Sequence, residues 1–278
     1  MNTWAASSPC TPRCVVSTTA PVRRTTRLRR YADVAALLGG ALAAGRTLGD
    51  PTVVRRRARG LLDALGVRLE LDGDESRTAP GTLIVADHVS WLDPIALLAH
   101  EPAILLAKSE VARWPVAGRL TTRVGTCFID RARPRALPEA VAGVRDHLLA
   151  GRSVMVFPQA TTWCRESGGV FRRAMFQAAL DAGAPVRPVT ISYRQHGVPS
   201  TVAAFVGDDG FLPSLLRVAG ADGLTVRITA HDPLLPGGGA DRRTLAAHAQ
   251  RAVASGGWGL SGGFASATPP PAVRSGST

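Results

Sequence analysis

His88 and Asp93 stand five positions apart in the run Val85-Ala86-Asp87-His88-Val89-Ser90-Trp91-Leu92-Asp93-Pro94, directly after an apolar stretch. Histidine is the side chain whose proton affinity lies nearest neutral pH. A carboxylate bonded to one ring nitrogen fixes the tautomer, so that the other nitrogen can take a proton from an alcohol. The pair is therefore a candidate general base, but such a spacing arises readily by chance and needs support from its surroundings.

Further segments supply that support, each where a strand would hand over to a loop. Gly125-Thr126-Cys127-Phe128-Ile129-Asp130-Arg131 is a short apolar run closing on an acid and an arginine. Val154-Met155-Val156-Phe157-Pro158-Gln159-Ala160-Thr161-Thr162-Trp163 is an apolar run closing on a proline and polar residues, and Ala184-Pro185-Val186-Arg187-Pro188-Val189 follows it. Together, over roughly residues 80–195, these segments resemble the four ordered blocks of the glycerolipid acyltransferases, the 1-acylglycerol-3-phosphate acyltransferases and their relatives. That family pattern is a histidine and an aspartate separated by four residues, a block closing on Ile-Asp-Arg, then Phe-Pro-Glu-Gly before Ser or Thr, and lastly an apolar block with a central proline. Four blocks in order are far more specific than any one of them.

The resemblance implies a transfer of a fatty acyl group from acyl-CoA or acyl-carrier protein to the free hydroxyl of a lysophospholipid, with 1-acylglycerol-3-phosphate as acceptor and phosphatidic acid as product. His88 would accept the hydroxyl proton and Asp93 would orient the ring. A thioester is already activated, so no enzyme nucleophile and no cofactor beyond the donor are implied. Arg131 would hold the phosphate, since a guanidinium offers two parallel donors to its oxygens; the rival reading is an ion pair with Asp130. Gln159, Ala160 and Thr161 would meet the acceptor or the developing oxyanion, with Phe157, Pro158 and Pro188 shaping the pocket. Trp91 and Trp163 fit an acyl channel or ordinary core packing.

The third block departs from the pattern. Gln159-Ala160 replaces Glu-Gly, which removes a charge, keeps hydrogen-bonding capacity and puts a Cβ where glycine tolerates any backbone angle. Two other readings therefore stay open: a lipid-binding protein or weak enzyme that lost catalysis through this change, and a lipid esterase using water. For the esterase, Gly259-Leu260-Ser261-Gly262-Gly263 fits the hydrolase nucleophile motif only formally, in a flexible composition.

The elements that must position these residues follow from periodicity. From Val67, short apolar runs alternate with longer helical ones, which predicts an α/β single domain with a mixed, largely parallel sheet flanked by helices. Strands are expected at 67–71, 82–86, 103–107, 126–129, 153–157, 186–192 and 224–230, and helices at 94–99, 114–124, 137–150, 172–182 and 241–254. Ligands gather beyond strand ends in such sheets, which is how His88, Arg131 and Thr161 could converge.

Charge is lopsided: residues 1–59 carry +9 of the net +12. This predicts a disordered basic arm over 1–30 and, over 31–66, two membrane-associating helices lying peripheral or half-inserted at an anionic leaflet, on the cytoplasmic face of the cell membrane. Ordinary surface helices are the plainer alternative, and paired arginines before an apolar run loosely imitate a twin-arginine export signal. The acyltransferase domain would span 67–256, followed by a disordered tail over 257–278. No nucleic-acid partner is expected, because the basic excess lies outside the folded body. Cys10, Cys14, Cys127 and Cys164 read as separate free thiols in a reducing compartment, without disulfide framework or zinc site, and no metal is expected.

Overall fold

The computed structural model describes residues 6–73, 78–130, 133–164, 168–237 and 239–256. Two helices lead, α1 (Arg24–Ala43) and α2 (Pro51–Leu65), followed by β1 (Arg68–Gly73) and β2 (Leu83–Ala86). Then come α3 (Asp93–His100), β3 (Ile104–Lys108), α4 (Ser109–Ala112), α5 (Ala117–Arg123), β4 (Cys127–Ile129), α6 (Leu137–Leu149) and β5 (Val154–Val156). The chain continues through α7 (Ala174–Ala182), β6 (Val186–Gln195), β7 (Val198–Pro199), α8 (Phe211–Gly220), β8 (Leu224–Ala230) and α9 (Arg242–Ser255).

Among the described residues the strands form one sheet in the order β1-β8-β6-β2-β5-β3-β4, with the two-residue β7 beside β6. All neighbouring pairs are parallel except β6 with β8 and β6 with β7. The mixed, mostly parallel α/β architecture expected from the sequence is present. Its centre is apolar on both faces, as parallel strands covered by helices require. Leu83, Ile84, Val85 and Ala86 of β2 are all buried, as are Val154, Met155 and Val156 of β5. One apolar cluster packs α2 and α3 on one side of the sheet, and a second packs α6, α7 and α9 on the other.

Local chemistry fixes the helix ends. Asp50 accepts hydrogen bonds from the N–H groups of Thr52 (2.7 Å) and Val53 (3.3 Å), Pro51 opens α2, and Gly66 closes it at φ +70°. The helix predicted at 114–124 is present over 117–123, preceded by a one-turn helix at 109–112 that the sequence did not suggest, and β4 is only half-buried because it forms the sheet edge.

The N-terminal region departs most from expectation. The arm expected to be disordered through residue 30 is laid on the domain from residue 6 onward, and α1 already begins at Arg24. Val16 N–H donates to Thr201 Oγ1 (2.8 Å), Thr18 N–H to Gln195 Oε1 (2.9 Å) and Val22 N–H to Gly220 O (3.0 Å). These are polar backbone contacts, which leave no apolar periodicity in the sequence to read. Arginines assigned to a lipid surface are partly engaged by the protein itself. Arg30 donates to Ala219 O (3.0 Å) and Ala221 O (2.8 Å) at the end of α8, and Arg59 to Ala99 O (2.8 Å) at the end of α3. Each satisfies carbonyls that a helix C-terminus leaves open. No helix among the described residues is long and apolar enough to cross a membrane. The expected tail over 257–278 and its Gly259–Gly263 motif lie outside the described residues.

Candidate active site

β2, β5 and β6 lie side by side and parallel, so their C-terminal ends open on one edge of the sheet. The loop after β2 carries His88, the loop after β5 carries Phe157 to Trp163, and β6 reaches past both. This is how residues 70 positions apart in sequence meet.

Asp93 is the hub. Its side chain is fully buried, and Oδ2 lies 2.8 Å from His88 Nδ1 while accepting the N–H groups of Val89 (2.7 Å) and Ser90 (2.8 Å). Oδ1 accepts the Tyr193 hydroxyl at 2.6 Å. Four donors around one carboxylate offset the cost of burying its charge. A carboxylate at Nδ1 requires the proton there, which leaves the lone pair on Nε2. The His88 side chain keeps 22% of its surface exposed, so an acceptor can reach it. Phe157 stacks on the imidazole with ring centroids 4.1 Å apart and an interplanar angle of 20°, which limits rotation of the ring.

Tyr193 is a positioning group that the sequence reading missed. Its distance of 100 residues from Asp93 and its place inside a β-branched strand give it no local signature. Burial pushes the phenol pKa well above its usual value, and the adjacent Asp93 charge pushes the same way, so Tyr193 stays a donor. Asp87 was missed too. It is fully buried, and its Oδ1 accepts Ile191 N–H at 2.8 Å, tying the loop to β6.

Gln159 is buried and used at both ends of its amide. Oε1 accepts the His88 backbone N–H at 2.7 Å, and Nε2 donates to Gly168 O. These partners assign the amide orientation, because an N–H needs the oxygen and a carbonyl needs the nitrogen. Trp163 N–H then donates to His88 O at 2.8 Å, so both backbone polar groups of His88 are held by the loop after β5. Ala160 has φ +62°, a left-handed angle where the family pattern puts glycine. The substitution kept the turn and added strain. A Cβ on Gly168 would lie 2.3 Å from the Trp163 indole, so that indole needs a glycine there.

Thr161 is half-buried in the same loop, and Pro158 and Pro188 are buried. Pro188 pairs with Val85 in the neighbouring strand, and its carbonyl accepts His231 N–H at 3.0 Å. Arg131 lies outside the described residues. Its neighbour Arg133 is exposed and pairs with Asp130 at 2.7 Å. A cavity beneath α3 is lined by Thr78, Leu97, His100, Glu101, Arg187 and Ile228 among others; neither His88 nor Asp93 lines it.

The structure corrects the reading of the cysteines as separate. The sulfurs of Cys10, Cys14 and Cys164 all lie within 4.8 Å of one another, whereas Cys127 sits against His147 Nε2 at 3.1 Å.

Known proteins resemble this chain over the same region. Residues 68–192 match the family model described as Acyltransferase. The chain is 40% identical over 209 residues to a lyso-ornithine lipid O-acyltransferase of Pseudomonas aeruginosa, covering 73% of this chain and 80% of that protein. It is 35% identical over 216 residues to a 1-acyl-sn-glycerol-3-phosphate acyltransferase of Neisseria meningitidis, covering 73% and 82%. The crystal structure of the 1-acyl-sn-glycerophosphate acyltransferase PlsC from Thermotoga maritima superposes with a TM-score of 0.61 at 20% identity, covering 84% of this chain and 93% of that one, a likeness of fold.

Proposed function

The chain belongs to the acyltransferase family and is an O-acyltransferase, and from that premise we propose that it moves a fatty acyl group from an acyl thioester, acyl-CoA or acyl-carrier protein, onto the free hydroxyl of a lyso-lipid. The observation that carries the chemistry is the His88–Asp93–Tyr193 chain, in which a buried, four-donor carboxylate holds Nδ1–H. His88 Nε2 takes the hydroxyl proton while that oxygen attacks the thioester carbonyl. The new C–O bond forms, the C–S bond breaks, and the imidazolium returns its proton to the departing thiolate. Asp93, 2.8 Å from Nδ1, orients and stabilises the imidazolium. Gln159 keeps the His88 backbone in register, so its exchange for glutamate is compatible with activity. This argues against a lipid-binding protein that lost catalysis.

For the acceptor, 1-acylglycerol-3-phosphate with Arg131 on its phosphate is the first reading. A second is favoured by the relative at 40% identity, whose name makes a lyso-ornithine lipid its substrate. Membrane contact is part of the proposal. The α8 face beside the active-site loop exposes Phe211 (39%), Leu212 (61%) and Leu216 (41%). Phe211 touches both Trp91 and Trp114, with ring centroids 5.2 and 5.7 Å apart. Aromatic and aliphatic groups next to the site, with exposed Arg23, Arg24, Arg29 and Arg56 on the leading helices and the turn before them, suit an anionic leaflet at its cytoplasmic face.

The test is an acyl-transfer assay with purified protein and labelled acyl-CoA, offering lysophosphatidic acid and lyso-ornithine lipid in parallel. Esterification of the first supports phosphatidic acid synthesis, and of the second alone the ornithine-lipid reading. Release of free fatty acid without ester formation would favour an esterase and defeat the proposal.

A further inference from the structure

Residues 6–22 run as a strap across the domain, and where they pass the loop after β5 they bring sulfur to sulfur. Cys10 Sγ lies 3.4 Å from Cys164 Sγ, across 154 positions of sequence, and Cys14 Sγ completes a triangle no wider than 4.8 Å. The 3-10 turn Pro12–Cys14 makes this possible: Cys14 N–H donates to Thr11 O at 2.9 Å, folding the second strap cysteine back toward the first. The turn is fastened to the domain by Thr201, whose Oγ1 donates to Cys14 O at 2.7 Å and accepts Val16 N–H at 2.8 Å. Beneath it, Gly207 (φ +66°) gives room: a Cβ there would meet Cys10 O at 3.1 Å. Cys10 is buried, and the other two thiols are half-buried.

Three uncharged thiols gathered in one place gain little, since each is a weak donor and a weak acceptor. A disulfide would use two of the three and would need its sulfurs at about 2.05 Å. By contrast, zinc–sulfur bonds of about 2.3 Å place the sulfurs of a tetrahedral site about 3.8 Å apart, within the range this triangle spans. The Cys164 backbone N–H also points at Cys10 Sγ, at 3.4 Å, the kind of bond that supports a metal-bound thiolate from outside the ligand set. The thiols are already unequal. Burial works against ionisation of Cys10, yet the Ser8 hydroxyl and the Cys164 N–H and thiol outweigh it and lower its pKa, whereas burial and the Cys10 contact push Cys164 up to about 12.

We propose that Cys10, Cys14 and Cys164 form a thiolate site for one zinc ion, which fastens the N-terminal strap to the loop after β5. Binding releases the thiol protons to solvent and leaves one coordination position for water or another donor. The site is independent of the acyl-transfer reading, but the two touch: Trp163, adjacent to Cys164, holds His88 O through its N–H. Zinc would therefore steady the loop that holds His88.

The experiment uses the full chain, purified under reducing conditions and titrated with Zn2+ against a chromophoric chelator. The expected result is one zinc per chain, with affinity weakened on the order of 100-fold or more in Cys10→Ser, Cys14→Ser and Cys164→Ser and unchanged in Cys127→Ser. Cobalt substitution should give thiolate-to-metal charge-transfer bands that vanish with the same three variants. Circular dichroism of the metal-free variants separates loss of ligand from loss of fold. Binding that survives Cys14→Ser would overturn the site, as would absence of stoichiometric zinc in the parent. A Cys10–Cys164 disulfide forming regardless of Cys14, with no metal bound, would overturn it too.

Discussion

The two ends of α3 present two ways of burying charge. At the N-terminal end, Asp93 has no exposed surface, and each of its oxygens is met by short bonds from its own loop and from β6. At the C-terminal end, His100 and Glu101 line a cavity with Arg187, and Glu101 accepts the Thr78 hydroxyl at 2.5 Å. The first arrangement fixes one proton on one nitrogen. The second surrounds a histidine with cations, and burial, opposed by Glu101 and reinforced by Arg55, Arg59 and Arg187, lowers its pKa. The lesson is that burial does not separate the two histidines; what sets His88 apart is a buried carboxylate that defines its tautomer.

The comparison breaks most visibly at Asp93. Asp93→Asn should cut acyl transfer by about 10²–10⁴-fold, because an amide can offer Nδ1 the wrong partner and reverse the tautomer. It should also weaken folding by about 3 kcal/mol, since the buried donors lose their charged acceptor. Steady-state rates and urea midpoints of the purified variant check both. Next in size, Tyr193→Phe removes one donor to a buried carboxylate and should cost about 1.5–3 kcal/mol of stability. Its activity should fall far less than that of Asp93→Asn, and a loss of equal depth would make Tyr193 part of the chemistry.

A smaller effect is expected at the turn after β5. Ala160→Gly relieves a left-handed angle worth about 1–2 kcal/mol but gives back part of that in unfolded-chain entropy, so a net gain of about 0.5–1 kcal/mol should appear in denaturant unfolding. Gln159→Glu should bring no gain in rate, because the acid would lose the donor that Gly168 O now receives. A large increase would mean that the glutamine is damage.

The sequence made the first end of α3 legible and left the other obscure for a physical reason. His88, Asp93, Gln159 and the loops that bear them sit at strand ends in ordered blocks, so spacing and resemblance reached them. Tyr193 and Asp87 act across the sheet, through the β2–β6 register that only the folded chain defines. The rhythm of apolar runs gave seven of the strands and missed α4, a single turn, β7, two residues long, and α8, whose Pro213 and exposed apolar face disguise a helix. The strap was misread as disorder because backbone hydrogen bonds and sulfur contacts hold it, and neither leaves a periodic trace.

The smallest expected effect belongs to the cavity end. Burial lowers the pKa values of both His100 and His231, so below about pH 6.5 the unfolded chain takes up protons there that the native one does not. Their contribution to stability is complete above that pH and is lost as pH falls through the folded values. Urea midpoints should therefore drop between about pH 8 and about pH 5.5, and His100→Gln should flatten the drop. An unchanged slope in that variant would place the acid sensitivity elsewhere.

The most direct measurement of the central claim is the acyl-transfer rate of purified His88→Ala beside the parent, with the same lyso-lipid and acyl thioester and the unfolding midpoint taken on the same samples. A fall of about 10²–10⁴-fold with folding retained is the predicted result. Equal rates in the two proteins would contradict the assignment of His88 as the base.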